Sequence, residues 1–106
     1  MKKVNESTMK PGLILGLKGA ADVFDVVQGE LTAGVRIVRP ESDVPERPHS
    51  HSQKQVIYVI SGSGKITNGE ETLDMFPGDF ILLEPNEEHY VITEKEPLKV
   101  FEVKYP

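Results

Sequence analysis

Apolar residues along this chain come in short bursts separated by turn-forming residues. The bursts are Leu13–Leu17, Val23–Gln28, Leu31–Arg39, Lys54–Ser61, Gly64–Thr67, Glu71–Asp74, Phe80–Leu83, His89–Thr93 and Leu98–Val103. Val, Ile, Thr, Phe and Tyr concentrate in them, and such residues suit a pleated, half-buried surface. Gly62-Ser63-Gly64, Pro77-Gly78-Asp79 and Glu84-Pro85-Asn86 read as turns, and Asn68-Gly69 predicts a type I′ hairpin. No window carries a helical period with caps. Short, closely spaced strands predict an all-β antiparallel barrel or sandwich, and the mouth of such a barrel can hold a small ligand. Residues 1–12 are polar and end in Pro11-Gly12, so they are expected to form a flexible arm ahead of one domain over 13–106.

The window Lys54–Ser61 repays a closer reading. In an extended strand alternate side chains share a face. If the strand reaches back without a bulge, one face presents His49, His51, Gln55, Ile57 and Val59, with Arg47 at its rim. The other face carries Val56, Tyr58 and Ile60. Both faces are apolar, which predicts a strand covered on both sides. His89 lies on a separate strand that a barrel can fold back beside the first, so three imidazoles and an amide oxygen could converge on one divalent ion.

Composition sharpens this picture. The 106 residues include three histidines and no cysteine. Disulfides, Cys-ligated zinc, Cys-ligated iron–sulfur clusters and thiol catalysis are therefore excluded, and a transition-metal site must use histidine, carboxylate or amide oxygen. Lys and Arg number 12 against 17 Asp and Glu, a net charge of −5 that argues against nucleic acid. The acids crowd between Asn68 and Glu96, where Lys95 is the one base; a solvated face is the plain reading. No apolar run is long enough to span a membrane, and Leu13-Ile14-Leu15-Gly16-Leu17 is too short for a signal-peptide core, so a cytoplasmic location is expected.

The histidine pattern resembles the cupin superfamily. Its first motif, G-x5-H-x-H-x3/4-E-x6-G, is matched by Asp43, His49-Ser50-His51, Gln55 and Gly62. Its second, G-x5-P-x-G-x2-H-x3-N, is matched by Gly78, Glu84-Pro85-Asn86, His89 and Thr93. The resemblance covers roughly Leu31 to Val103 and implies a double-stranded β-helix, or jelly-roll, barrel. It further implies a mononuclear site with His49, His51, Gln55 and His89 as ligands to Mn, Fe, Ni, Zn or Cu. Asp43 for Gly, the proline moved one place to Pro85, Asn86 for Gly and Thr93 for Asn are turn-level departures. Gln55 in place of the ligand glutamate is the serious one. A neutral amide leaves a divalent ion at +2, so it weakens binding and strengthens Lewis acidity toward a carbonyl, enolate or carboxylate. The set of three histidines and one glutamine is similar to small cupins of uronate and pectin breakdown, which open or isomerise unsaturated sugar acids. As a barrel residue, Gln55 could instead have its amide satisfied by neighbours.

With every histidine placed at a ligand position, an acid or base must come from elsewhere. Arg36, Arg39 and Arg47 could pair with a substrate carboxylate, and Tyr58 and Tyr90 could donate to a substrate oxygen. Glu84, Glu87 and Glu88 border the loop before His89. A surface or packing role is the default for each. The functions in contention are a sugar-acid isomerase or lyase, an Fe- or Mn-dependent dioxygenase, and a non-catalytic small-molecule sensor. The family resemblance implies a homodimer, with Leu13-Ile14-Leu15 as a candidate apolar edge strand for it.

Overall fold

In the computed structural model, which describes residues 1–106, ten strands follow a single 3-10 turn at Glu6–Thr8. They are β1 (Gly12–Leu15), β2 (Ala20–Gln28), β3 (Thr32–Val38), β4 (Asp43–Val44), β5 (Lys54–Ser61), β6 (Gly64–Thr67), β7 (Thr72–Met75), β8 (Phe80–Leu83), β9 (Tyr90–Ile92) and β10 (Leu98–Tyr105). Six form one antiparallel sheet in the order β1-β2-β3-β10-β5-β8, and four form a second in the order β4-β9-β6-β7. The two sheets make the β-barrel that the strand pattern predicts. No helix is long and apolar enough to cross a membrane.

Alternation along the strands fills the space between the sheets. On β5, Gln55, Ile57 and Val59 are buried, and on β10 Leu98, Val100 and Glu102 are. Met75, Leu98 and Val59 are the largest fully buried side chains. Each such residue removed from water stabilises the fold by roughly 1.5–3 kcal/mol. The second sheet contributes Val44, Ile66 and Met75 to the same core.

Three local expectations are corrected. The β6–β7 connection is a four-residue loop between the Thr67–Thr72 pair, not a two-residue type I′ turn. A type I′ turn needs positive φ at both central residues. Here Gly69 has φ +95 and Asn68 is not in that region. Asn68 instead holds the loop with its side-chain oxygen, which accepts from the Glu70 and Glu71 N–H groups at 3.0 and 2.7 Å. The second correction concerns β5, which begins at Lys54, so His49 and His51 lie in the loop before it. The third concerns its outer face, which this chain leaves open: Tyr58 is 36% exposed, and Phe80 and Leu82 on neighbouring β8 are 65% and 70% exposed.

Candidate metal centre

Two loops carry the histidines, one leading into β5 and one into β9. Backbone hydrogen bonds lace them together. The Asn86 N–H donates to the His51 carbonyl at 2.7 Å and the His89 N–H to the His49 carbonyl at 3.4 Å. Asn86 sits at φ +63, a left-handed conformation that Asn tolerates better than most residues. That places a turn residue where the second motif has its glycine.

The lacing brings the three imidazoles into one cluster. Ring centroids are 5.8 Å apart for His49 and His51, 5.0 Å for His49 and His89, and 5.3 Å for His51 and His89. One potential ligand atom from each lies within 4.8 Å of the others. Two of the rings are oriented by backbone carbonyls. His51 Nδ1 lies 3.0 Å from the Gln53 carbonyl and His89 Nδ1 lies 2.9 Å from the Glu87 carbonyl. A carbonyl only accepts, so each Nδ1 is the donor, and in the neutral ring the lone pair is then on Nε2. Burial pushes His49 down from 6.5 to about 4, helped by the neighbouring His89, Lys104 and His51. Burial also lowers His89, partly opposed by its bond to the Glu87 carbonyl. Both are neutral at neutral pH, the state a metal requires.

Gln55 stands beside the cluster. Its Oε1 lies 2.8 Å from His51 Nε2. Its Nε2 donates to the Glu102 carboxylate. A carboxylate can only accept that bond, so the amide is pinned with nitrogen toward Glu102 and oxygen toward the histidines. In the neutral tautomer with its proton on Nδ1, His51 Nε2 and Gln55 Oε1 are two lone-pair donors facing each other. A cation between them satisfies both. Bonds of about 2.1 Å at right angles set two donors about 3 Å apart, close to the spacing seen. The donor set therefore fits a divalent transition ion.

Behind Gln55 runs a buried chain of charge. Glu102 is 8% exposed and Arg36 6%. Arg36 Nε lies 2.8 Å from Glu102 Oε1. That N–H is not aligned for a hydrogen bond, so the contact is an ion pair. Arg36 also pairs with Asp25 at 2.5 Å. Glu102 was not among the candidates read from sequence, because it lies on the last strand, outside both motifs. Its signal was there: with Leu98 and Val100 buried, alternation puts Glu102 and Lys104 on the same face.

These residues surround a cavity of about 90 Å³. Its polar groups are Arg36, His49, Gln55, His89, Glu102 and Lys104, and Ile57 and Met75 stand among its apolar walls. Drug-sized pockets run roughly 300–1,000 Å³, so this one suits a small metabolite.

The other candidates lie elsewhere. Arg39 pairs with Asp22 at 2.9 Å on the surface, and this holds the Asp22 carboxyl below its usual range. Arg47 pairs with Asp43 at 2.6 Å and lies 3.5 Å above the Tyr90 ring, which occupies both residues. Tyr58 faces outward against Phe80, with ring centroids 4.7 Å apart. Glu84 and Glu88 are exposed, and Glu87 accepts from the Glu84 N–H and Asn68. Arg36 does line the cavity, but Asp25 and Glu102 already engage its guanidinium. Thr93, at the last position of the second motif, is a buried tie: it donates to the Arg39 carbonyl at 2.6 Å and accepts from the Ser42 N–H at 3.1 Å.

Comparison with known proteins accords with this geometry. No curated protein matches the sequence. Solved structures do, at identities that speak to the fold alone. A predicted oxalate decarboxylase from Thermotoga maritima superposes with TM-score 0.84 at 16% identity, covering 98% of each chain. The polyketide cyclase RemF from Streptomyces resistomycificus gives 0.78 at 20%, over 98% of this chain and 78% of its own. A protein from Photorhabdus luminescens gives 0.75 at 23%, over 100% and 87%. The family model described as the cupin domain matches residues 34–104, and on that match the chain belongs to the cupin family.

Proposed function

We propose that this protein is a metal-dependent enzyme acting on a small oxygenated metabolite, an isomerase or lyase of the sugar-acid type. The observation that carries the reading is the pinned amide: Gln55 aims its oxygen at His51, one of three convergent imidazoles, because Glu102 holds its nitrogen. His49, His51, His89 and Gln55 would hold one divalent ion, with Mn, Fe, Ni, Zn and Cu all compatible with the donors. Such an ion supplies Lewis acidity, which polarises a carbonyl or carboxylate oxygen. The chain's own residues do the rest. The apolar walls exclude water, and Glu102 is the carboxylate of the cavity that could hold or move a proton next to the ion.

A dioxygenase using Fe or Mn is the second reading, and one observation favours it. Glu102 already accepts from Gln55 and pairs with Arg36, so its oxygens are engaged within the chain and are not directed at a substrate. Oxygen consumption that depends on the loaded metal would select it over the first. A non-catalytic sensor remains the third reading. The chain would work in the cytoplasm, and as a homodimer, the latter supported by the open apolar face of β5 and β8.

The deciding experiment is metal analysis of the purified protein beside His49→Ala and His89→Ala variants. About one divalent ion per chain is expected in the parent and little in either variant. Equal content in all three would sink the assignment.

A further inference from the structure

The cavity contains one cation that this chain leaves without a partner. Lys104 lies on β10 two residues beyond Glu102, opposite Gln55 in the β5 register. It lines the same space as His49 and His89. Of the other cations, Lys18, Arg36, Arg39, Arg47, Lys65 and Lys99 are ion-paired, and Lys2, Lys3, Lys10, Lys54 and Lys95 are exposed to solvent. Lys104 has no ion pair and no side-chain hydrogen bond, although it is half-buried. It is close enough for its charge to disfavour protonation of both His49 and His89.

Charge counting shows what is missing. Asp25 and Glu102 contribute two negative charges, and Arg36 and Lys104 two positive. As metal ligands the histidines are neutral, and so is Gln55. Lys104, Glu102, Arg36 and the Asp25 paired behind it therefore balance, and a divalent ion would leave the site at +2. Uncompensated charge in a low-dielectric space is costly, so the ligand that completes such a site is an anion. Arg36 cannot meet it, because Asp25 and Glu102 hold its guanidinium. Lys104 can, and a compact ammonium on a flexible stem suits a single carboxylate group.

We propose that Lys104 is the anion-binding group of this cavity and pairs with the carboxylate of a small organic acid. This deepens the metal-dependent reading and rests on it for the position of the ligand's other oxygens. The size of the space sets the class: a compact mono- or hydroxycarboxylate fits, and a polymer does not.

The test uses glycolate as probe and ethylene glycol as its neutral counterpart, on the full chain. Binding is followed by calorimetry and by the ¹⁵N shift of the lysine side chains, in metal-free protein and after Mn²⁺ loading. Parent, Lys104→Met and Lys104→Arg are compared. Lys104→Met is expected to weaken glycolate binding about tenfold, the order expected for one charge-assisted pair, without weakening Mn²⁺ uptake. Lys104→Arg should retain most of the affinity, and ethylene glycol should distinguish none of the three. Equal glycolate affinity in the parent and Lys104→Met overturns the proposal, as does a parent that binds no glycolate in either state. If Mn²⁺ does not bind but glycolate still shifts the Lys104 signal, the metal reading fails and the anion site stands.

Discussion

Gln55 is a neutral ligand candidate held in contact with a buried carboxylate, and that contact decides how its substitution behaves. A glutamate at this position would add a negative donor and should tighten metal binding on its own. Here it would also set two carboxylates side by side, and like charges at that range favour protonation of one of them. Gln55→Glu alone is therefore expected to gain little affinity for Mn²⁺. The paired change Gln55→Glu with Glu102→Gln exchanges amide and carboxylate and keeps the hydrogen bond between them. It should bind Mn²⁺ about tenfold more tightly than the single variant by calorimetry. The reverse order would mean that Glu102 does not govern Gln55.

His49 gives a second prediction at this scale. Burial lowers it from 6.5 to about 4, so the folded chain keeps it neutral where the unfolded chain protonates it. Between those values the unfolded state binds more protons, so stability falls as pH drops through about 6.5 toward about 4. Metal-free His49→Gln should show a shallower loss over that window in urea titrations than the parent. Identical slopes would remove His49 as a source of acid sensitivity.

At the level of elements, alternation was the readable signal. The parity of β5 was visible in Gln55, Ile57 and Val59, and these three residues are buried together. Less was visible where backbone bonding replaces side-chain pattern. β4 is two residues long, too short for any period, and it exists because Asp43 and Val44 pair with Ile92 and Val91. His49 and His51 share a direction through a loop laced to Asn86 and His89, not through a strand. Glu102 and Lys104 escaped because a motif draws attention to its own window, while a barrel brings its last strand beside the first motif. Thr93 tests the lacing of elements. Thr93→Val keeps the shape but leaves the Ser42 N–H and the Arg39 carbonyl without their partner. The expected cost is about 1–3 kcal/mol in denaturant unfolding, the range for unsatisfied buried groups. No measurable loss would show that water reaches those groups.

The molecule as a whole is polarised. The acids Glu70, Glu71, Asp74 and Glu94 lie on the β6–β7 hairpin and just beyond β9, in the four-stranded sheet. The outer face of the six-stranded sheet carries the row Phe80, Tyr58, Phe101, Val35 and Phe24, matched position by position across five strands. Five strands about 4.8 Å apart and six residues deep give a face of roughly 500 Å² in projection. Side chains standing off it bring the accessible area toward the ~800 Å² each partner gives a stable interface. The named row carries no charged side chain, so on a chain of net charge −5 it meets its own copy without like-charge repulsion. Light scattering on the eluting protein should give a dimer, and Phe80→Lys with Leu82→Lys should give a folded monomer. A parent that elutes as a monomer would sink the idea. Dissociation by Leu13→Lys and not by the β8 pair would move the interface to the exposed edge of β1.

The histidines belong to both halves of the barrel: His49 and His51 lead into the six-stranded sheet, and His89 leads into the four-stranded one. A chain without cysteine has no covalent cross-link, and an ion held by these residues would act as a removable one. A ligand present at a hundred times its dissociation constant adds about 2.7 kcal/mol to stability, a large share of a typical domain's total. Chelation would then do more than silence a site. It would part the two sheets more often, expose the chain to proteases, and make cellular abundance follow the supply of metal.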